Sequence, residues 1–167
     1  MAAVRRLNHA VLYVRDIPTS VAFYTNVLGM EVVTRMGDQA AFLRASGHSN
    51  HHDLGMFAVG PQAPNPPRGS VGLYHLAWQV DTIDELVSLR ASLVEAGSLV
   101  GESSHGVSYS LYAHDPSGNE FEVMWALPQT DWGIYATDAV VERLDLPAAL
   151  ARYGGVHTIG EDTVSVS

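Results

Sequence analysis

The sequence predicts an α+β fold made of two tandem β-α-β-β-β modules followed by a C-terminal helical extension. Three observations carry this. The stretches "LNHAVLYVRDIPTSVAFYTNVLGMEVV" from Leu7 and "LYHLAWQVDTIDELVSLRASLVEAGSLV" from Leu73 run in parallel, and each opens on Leu-x-His. Each alternates up to a valine, Val14 or Val80, and then enters a helix with Ile17 or Ile83 near its start. Each helix stops at a glycine, Gly29 or Gly97. Self-similarity of this kind marks a duplicated unit, because two unrelated pieces have no reason to repeat a histidine, a helix start and a glycine in step.

The elements follow in order. In the first module Asp16 caps the helix and Pro18 suits its first turn. The segments "EVVTRM", "QAAFLRA" and "HHDLGMFAV" supply its remaining strands, with "MGDQ" as a turn. "GPQAPNPPRGS", residues 60–70, has linker composition. In the second module Thr82 and Glu85 have capping-box spacing, and Leu86, Leu89, Leu93 and Ala96 form one apolar helix face. Its strands are "LVGES", "SYSLYAH" and "EFEVMWA", with "DPSGN" as a turn. The modules cover about residues 5–59 and 71–126, within one domain of residues 1–126. The extension, residues 127–167, holds two segments of helical character, "ATDAVVERL" and "PAALARYGG", separated at Pro147. It could cover a pocket mouth or serve a subunit contact.

Composition narrows the function. The 167 residues are 47% hydrophobic and 16% charged, as expected of a globular chain with a real core. A net charge of −9 argues against nucleic-acid or anionic-membrane partners. All nine positive residues are arginines, which excludes lysine Schiff-base chemistry and a P-loop lysine. Cysteine is absent, so thiol nucleophiles, disulfides and thiolate metal sites are excluded, and any metal must use nitrogen and oxygen donors. "MAAVRR" is not followed by an apolar h-region, and no run reaches membrane-spanning length; a cytoplasmic protein is the expectation.

Candidate metal ligands follow from the repeat. If the modules pair about a pseudo-twofold axis, the first strands lie side by side and His9 approaches His75. On "GNEFEVMW", Glu120, Glu122 and Met124 share one face and Phe121, Val123 and Trp125 the other. Glu122 is flanked by apolar residues, where a carboxylate is costly unless paired or bound to a cation. His9, His75 and Glu122 together form the two-histidine, one-carboxylate set that holds non-haem Fe(II) and leaves coordination positions open.

The repeat, about residues 5–126, resembles the vicinal oxygen chelate superfamily, the glyoxalase, bleomycin-resistance and extradiol-dioxygenase fold. Within it, "HHDLGMF" and "HGVSYSLYAHDPSGNEFEVMW" are similar to the catalytic module of type I extradiol, catechol 2,3-dioxygenase-like enzymes, of which one-domain forms exist. The resemblance implies a cup-shaped metal site with His9, His75 and Glu122 as ligands. It implies His52 as a catalytic acid–base, and His105 with Tyr112 as groups acting on substrate oxygens. It implies Fe(II), a small catechol-like aromatic substrate and O2, and a homodimer. The polar residues that some members carry after the first ligand are replaced here by Val11 and Tyr13. Phe42, Met56, Met124 and Trp125 are further candidates for apolar pocket walls, with core packing as their other role.

Residues 51–53 set two expectations against each other. Strand alternation turns His51 and Asp53 to one face and His52 to the other. Aligning "HDLGM" with "FEVMW" sets Asp53 opposite Glu122, as a fourth ligand of a glyoxalase-type isomerase or lyase using Ni(II), Zn(II) or Mn(II). The dioxygenase resemblance turns His52 inward instead, and a bulge would reconcile the two. We take His52 as the inward residue, since histidine moves protons near neutral pH. A third class, a non-catalytic drug-sequestering binding protein, needs no metal set. His48, His114 and His157 have no repeat partner and read as surface residues.

Overall fold

The computed structural model describes residues 2–67 and 69–159. The chain divides into two compact units, Met1–Ser70 with Asp115–Gly118, and Val71–His114 with Asn119–Ser167.

In the first unit β1 (Ala10–Val14) leads into α1 (Ile17–Asn26), then β2 (Glu31–Met36), β3 (Ala40–Arg44) and β4 (Leu54–Ala58). The sheet order is β1-β4-β3-β2, with β1 and β4 parallel and the other pairs antiparallel. Asp16 caps α1 by accepting from the Thr19 amide at 2.7 Å. Leu12, Val14, Leu43, Leu54 and Met56 are buried together with Ile17, Val21 and Tyr24 of α1. Each such side chain contributes roughly 1.5–3 kcal/mol of burial free energy. The turn at Asp115–Gly118 belongs to this unit because Arg15 holds it. The Arg15 guanidinium donates to Ser117 O at 2.7 Å and to Ala63 O at 2.9 Å, and buried Tyr24 donates its hydroxyl to Asp115 at 3.2 Å.

The second unit repeats the plan. It runs β5 (Leu76–Val80), α2 (Ile83–Glu95), β6 (Leu99–Ser104), β7 (Ser108–His114) and β8 (Glu120–Ala126), in sheet order β5-β8-β7-β6. The capping box is complete: Thr82 accepts from the Glu85 amide, and Glu85 accepts from the Thr82 amide. Phe121, Val123 and Trp125 of β8 are buried with Leu86 and Leu93 of α2, while Glu120, Glu122 and Met124 alternate onto the other face. The α+β architecture of two such modules is the one the repeat predicts.

Three expectations are corrected. The fourth strand of the first module begins at Leu54, so His51, His52 and Asp53 lie in the loop before it and strand alternation does not order them. "ATDAVVERL" is not a helix: after a short 3-10 turn at Gly133–Ala136, Glu142 exchanges both backbone hydrogen bonds with Ser104 at the end of β6. The β-branched pair Val140–Val141 suits that extended backbone. Pro147 begins a helix instead of breaking one, standing in the first turn of α3 (Leu146–Tyr153), which Asp145 caps. No described helix is long and apolar enough to cross a membrane.

Candidate active site

In the first unit, His9 stands immediately before β1, where Asn8 fixes its ring. The His9 Nδ1–Asn8 Oδ1 distance is 2.9 Å, and a carbonyl oxygen can only accept, so Nδ1 carries the proton and Nε2 keeps a free lone pair. A hydrogen bond of this kind from the remote ring nitrogen is how metal-binding histidines are oriented. Asn8 is tied in turn to Asn50, to whose side-chain oxygen it donates at 3.0 Å.

His52 lies against His9, with ring centroids 4.6 Å apart, and edge-on to Phe42 at 5.2 Å. Its Nδ1 is 2.9 Å from His51 Nδ1, and its Nε2 has no hydrogen-bond partner among the described residues. Burial lowers the His52 pKa, the neighbouring His9 and His51 rings lower it further, and Asp53 opposes them. Neutral imidazole is therefore favoured.

Asp53 is committed elsewhere. It is 8% exposed, accepts from the Ala45 amide at 2.9 Å and from Asn50 at 3.1 Å, and meets His48 Nδ1 at 2.7 Å. Burial works to raise its pKa, but these hydrogen bonds and the charge of His48 outweigh it and hold the carboxyl below its ordinary value. Asp53 thus organises the 45–53 loop. His48, expected as a plain surface residue, is part of that loop's hydrogen bonding.

Strand register corrects the repeat alignment. Ala10 pairs with Leu54 on β1 and β4, and its counterpart Leu76 pairs with Phe121 on β5 and β8. The position equivalent to Glu122 is therefore Gly55, and Asp53 corresponds to Glu120. Likewise Phe42, opposite Gly55, corresponds to Tyr112, opposite Glu122. Sequence alone missed this because "HDLGM" fits "FEVMW" two residues out of step with equal plausibility.

The face of the first sheet turned away from α1 carries Val11, Tyr13, Phe42 and Phe57 around Gly55. Val11 is 51% and Tyr13 72% exposed, and Phe42 meets Phe57 edge-on at 5.9 Å. Phe57 was not anticipated, although its alternation with Met56 would have signalled it. Met56 and Trp125 are core residues and not pocket walls: both are fully buried, Met56 on the α1 side and Trp125 against Tyr153, donating its indole N–H to Asp81 O at 3.1 Å. Met124 stays on the Glu122 face.

In the second unit, His75 precedes β5 as His9 precedes β1, and its Nε2 lies 3.1 Å from Glu122 Oε2. The Glu122 side chain is only 12% exposed, and His75 Nδ1 is buried without a hydrogen-bond partner. Tyr112 lies beside both: it pairs with Glu122 across β7 and β8, and its ring is 5.8 Å from that of His75. The Tyr112 hydroxyl is 2.8 Å from His105 Nε2. His114 and His157 are surface residues, beside Glu120 at 3.7 Å and Asp81 at 2.5 Å.

Within either unit, no three His, Cys, Asp or Glu side chains among the described residues gather closely enough to hold a metal. The donor chemistry nevertheless suits a divalent cation. His9 presents a lone pair on a ring fixed from behind, His75 turns Nε2 toward the Glu122 carboxylate, and Glu122 is a shielded carboxylate whose neighbour is an imidazole.

The fold is a duplicated βαβββ unit with a histidine before the first strand of each half and a carboxylate on the last strand of the second. The family model described as "Glyoxalase/Bleomycin resistance protein/Dioxygenase superfamily" matches residues 6–123, and the chain belongs to that superfamily. It is 35% identical over 127 residues to a catechol-2,3-dioxygenase of Bacillus subtilis, a match covering 75% of this chain and 43% of that protein. The chain thus spans less than half of that relative's length. It is 32% identical over 164 residues to a biphenyl-2,3-diol 1,2-dioxygenase of Rhodococcus globerulus, covering 90% of this chain and 83% of the relative. Among solved structures, a lactoylglutathione lyase from Agrobacterium tumefaciens is similar at 25% identity and a TM-score of 0.56, over 80% of this chain and all of that one.

Proposed function

We propose that the protein is an extradiol ring-cleaving dioxygenase, with His9, His75 and Glu122 as the ligands of one divalent metal ion. Fe(II) is the metal we assign, with Mn(II), Zn(II) or Ni(II) as the other candidates. The substrate is a small catechol-like aromatic, and O2 supplies both inserted oxygen atoms. The observation that carries the proposal is that each unit has a half-site at the equivalent repeat position: a histidine with a fixed tautomer in one, and a histidine–carboxylate pair in the other. The two dioxygenase relatives support the same reaction class.

When bound, the metal supplies a cationic anchor for vicinal oxygens and a route for electrons between diol and O2. The protein's own groups then divide the work. The apolar face of Val11, Phe42 and Phe57 takes the aromatic ring. His52, neutral and free at Nε2, takes a proton from a substrate hydroxyl and returns it later in turnover. Tyr112, backed by His105, orients a ring oxygen.

An isomerase of glyoxalase type has the lyase structure in its favour, but it needs a second carboxylate ligand. Gly55 stands where the repeat would supply one, and Asp53 is spent on its own loop. The test is metal analysis of protein purified without oxygen, followed by O2 uptake and product absorbance with catechol and 3-substituted catechols. Bound iron with stoichiometric O2 uptake is expected. Bound Ni(II) or Zn(II) with no uptake would favour the isomerase, and no metal at all would favour a binding protein. By superfamily precedent we propose a homodimer working in the cytoplasm.

A further inference from the structure

The C-terminal extension touches the second sheet where Ser104 and Glu142 exchange two backbone hydrogen bonds, each of 2.9 Å. This contact brings the Val140 carbonyl to 3.1 Å from His105 Nδ1. A carbonyl only accepts, so in neutral His105 the proton sits on Nδ1 and Nε2 offers one lone pair. Two hydroxyls reach that lone pair, Tyr112 at 2.8 Å and Ser103 at 2.9 Å. Only one of them can donate to it.

Burial decides between them. Ser103 is 6% exposed, and His105 is its side chain's sole hydrogen-bond partner among the described residues. If Tyr112 took the lone pair, the Ser103 proton would be left buried with no acceptor, which is penalised. Tyr112 is half-buried, on the face that carries Glu122, and can aim its proton at a bound molecule.

We propose that Ser103 is a positioning residue: its hydroxyl donates to His105 Nε2 and so frees the Tyr112 O–H to donate to an ionised oxygen of the bound substrate. Val140 of the extension sets the tautomer that makes this possible. The chemical class selected is a ligand with an anionic oxygen at that position, such as a diol monoanion. The ligand half of this inference rests on the proposed function, whereas the proton arrangement does not.

The test uses the full chain labelled with ¹⁵N-histidine and ¹³C-tyrosine, with Zn(II) as a diamagnetic metal. His105 is expected in the Nδ1-protonated form. Ser103→Ala should leave that tautomer intact and shift the Tyr112 Cζ resonance, as Tyr112 takes over the lone pair, and Ser103→Thr should restore it. An unchanged Tyr112 resonance in Ser103→Ala, or an Nε2-protonated His105 in the wild type, overturns the proposal. In a second arm, Ser103→Ala and Tyr112→Phe should each weaken 4-nitrocatechol binding about ten- to a hundredfold, the scale of a hydrogen bond to a charged group. The double variant should bind no worse than Tyr112→Phe alone. Additive losses would mean that Ser103 only packs, and would also overturn it. A wild type that ignores 4-nitrocatechol removes the catechol reading, and the resonances still judge Ser103.

Discussion

The two modules present opposite surfaces at matching positions. Around Gly55 the first sheet shows Val11, Tyr13, Phe42 and Phe57. Around Glu122 the second shows Ala77, Gln79, Tyr112 and Met124. Each retains the histidine that precedes its first strand. The two halves share one framework and differ at these positions, a carboxylate and a phenol in one standing where the other has glycine and phenylalanine. The difference has an electrostatic consequence. In the proposed site, a dication held by two neutral histidines and one carboxylate would keep a net positive charge, which would favour an anionic oxygen ligand. A second carboxylate at position 55 would cancel that charge.

The strongest way to break this comparison is to remove donors from each half. Glu122→Gln, His75→Ala and His9→Ala should each strip the metal and bring turnover close to zero, read by elemental analysis and O2 uptake. Full metal content in any of them would remove that residue from the ligand set. Asn8→Ala should act through His9 and weaken metal binding about 10–100-fold, as the loss of a hydrogen bond behind a ligand does.

Next in size is His52→Ala. It should leave metal content intact and slow turnover about 10²–10⁴-fold, the range for a lost general acid–base. Metal loss in this variant, with His9 otherwise untouched, would make His52 a ligand and break the proposed division of roles.

Gly55→Glu makes the halves alike. A Cβ at Gly55 would lie 3.4 Å from the Phe42 ring and from Val11, at the near edge of ordinary van der Waals contact, so the backbone accepts a Cβ there. The added carboxylate should raise affinity for Zn(II) and Ni(II) and depress ring cleavage. Unchanged metal preference, measured by competition among these ions, would mean that position 55 does not face the metal.

How much of this was legible in the sequence depends on the range of the interaction. The helices were legible because caps at Asp16 and Thr82 and apolar spacing are local signals, and the repeat gave the order of strands. Three features were not legible. The start of β4 depends on pairing with Ala10 and Leu43, contacts far apart in the chain. The extended backbone around Glu142 depends on the free edge of β6. The place of Asp53 depends on Ala45 and Asn50, whose donors give no pattern in "ASGHSNHHD". The last of these matters most for function, since it separates the proposed acid–base residue, His52, from a carboxylate beside it in sequence.

The smallest effect tests that separation directly. Asp53→Asn removes a buried acceptor for the Ala45 amide and its pairing with His48, and should cost about 1–3 kcal/mol of stability while sparing the metal. Its pH dependence is signed. The folded-state pKa of Asp53 lies below its ordinary 3.8, so its contribution is complete above that value and is lost as pH falls through the lower folded pKa. Asparagine does not titrate, so the stability gap between wild type and variant should stay level from neutral pH to about pH 5 and close only in stronger acid. Urea unfolding across a pH series, with metal content followed in parallel, reads both quantities. A gap that persists undiminished into strong acid, or a variant that keeps its stability and loses its metal, would return Asp53 to the metal and make the two modules alike after all.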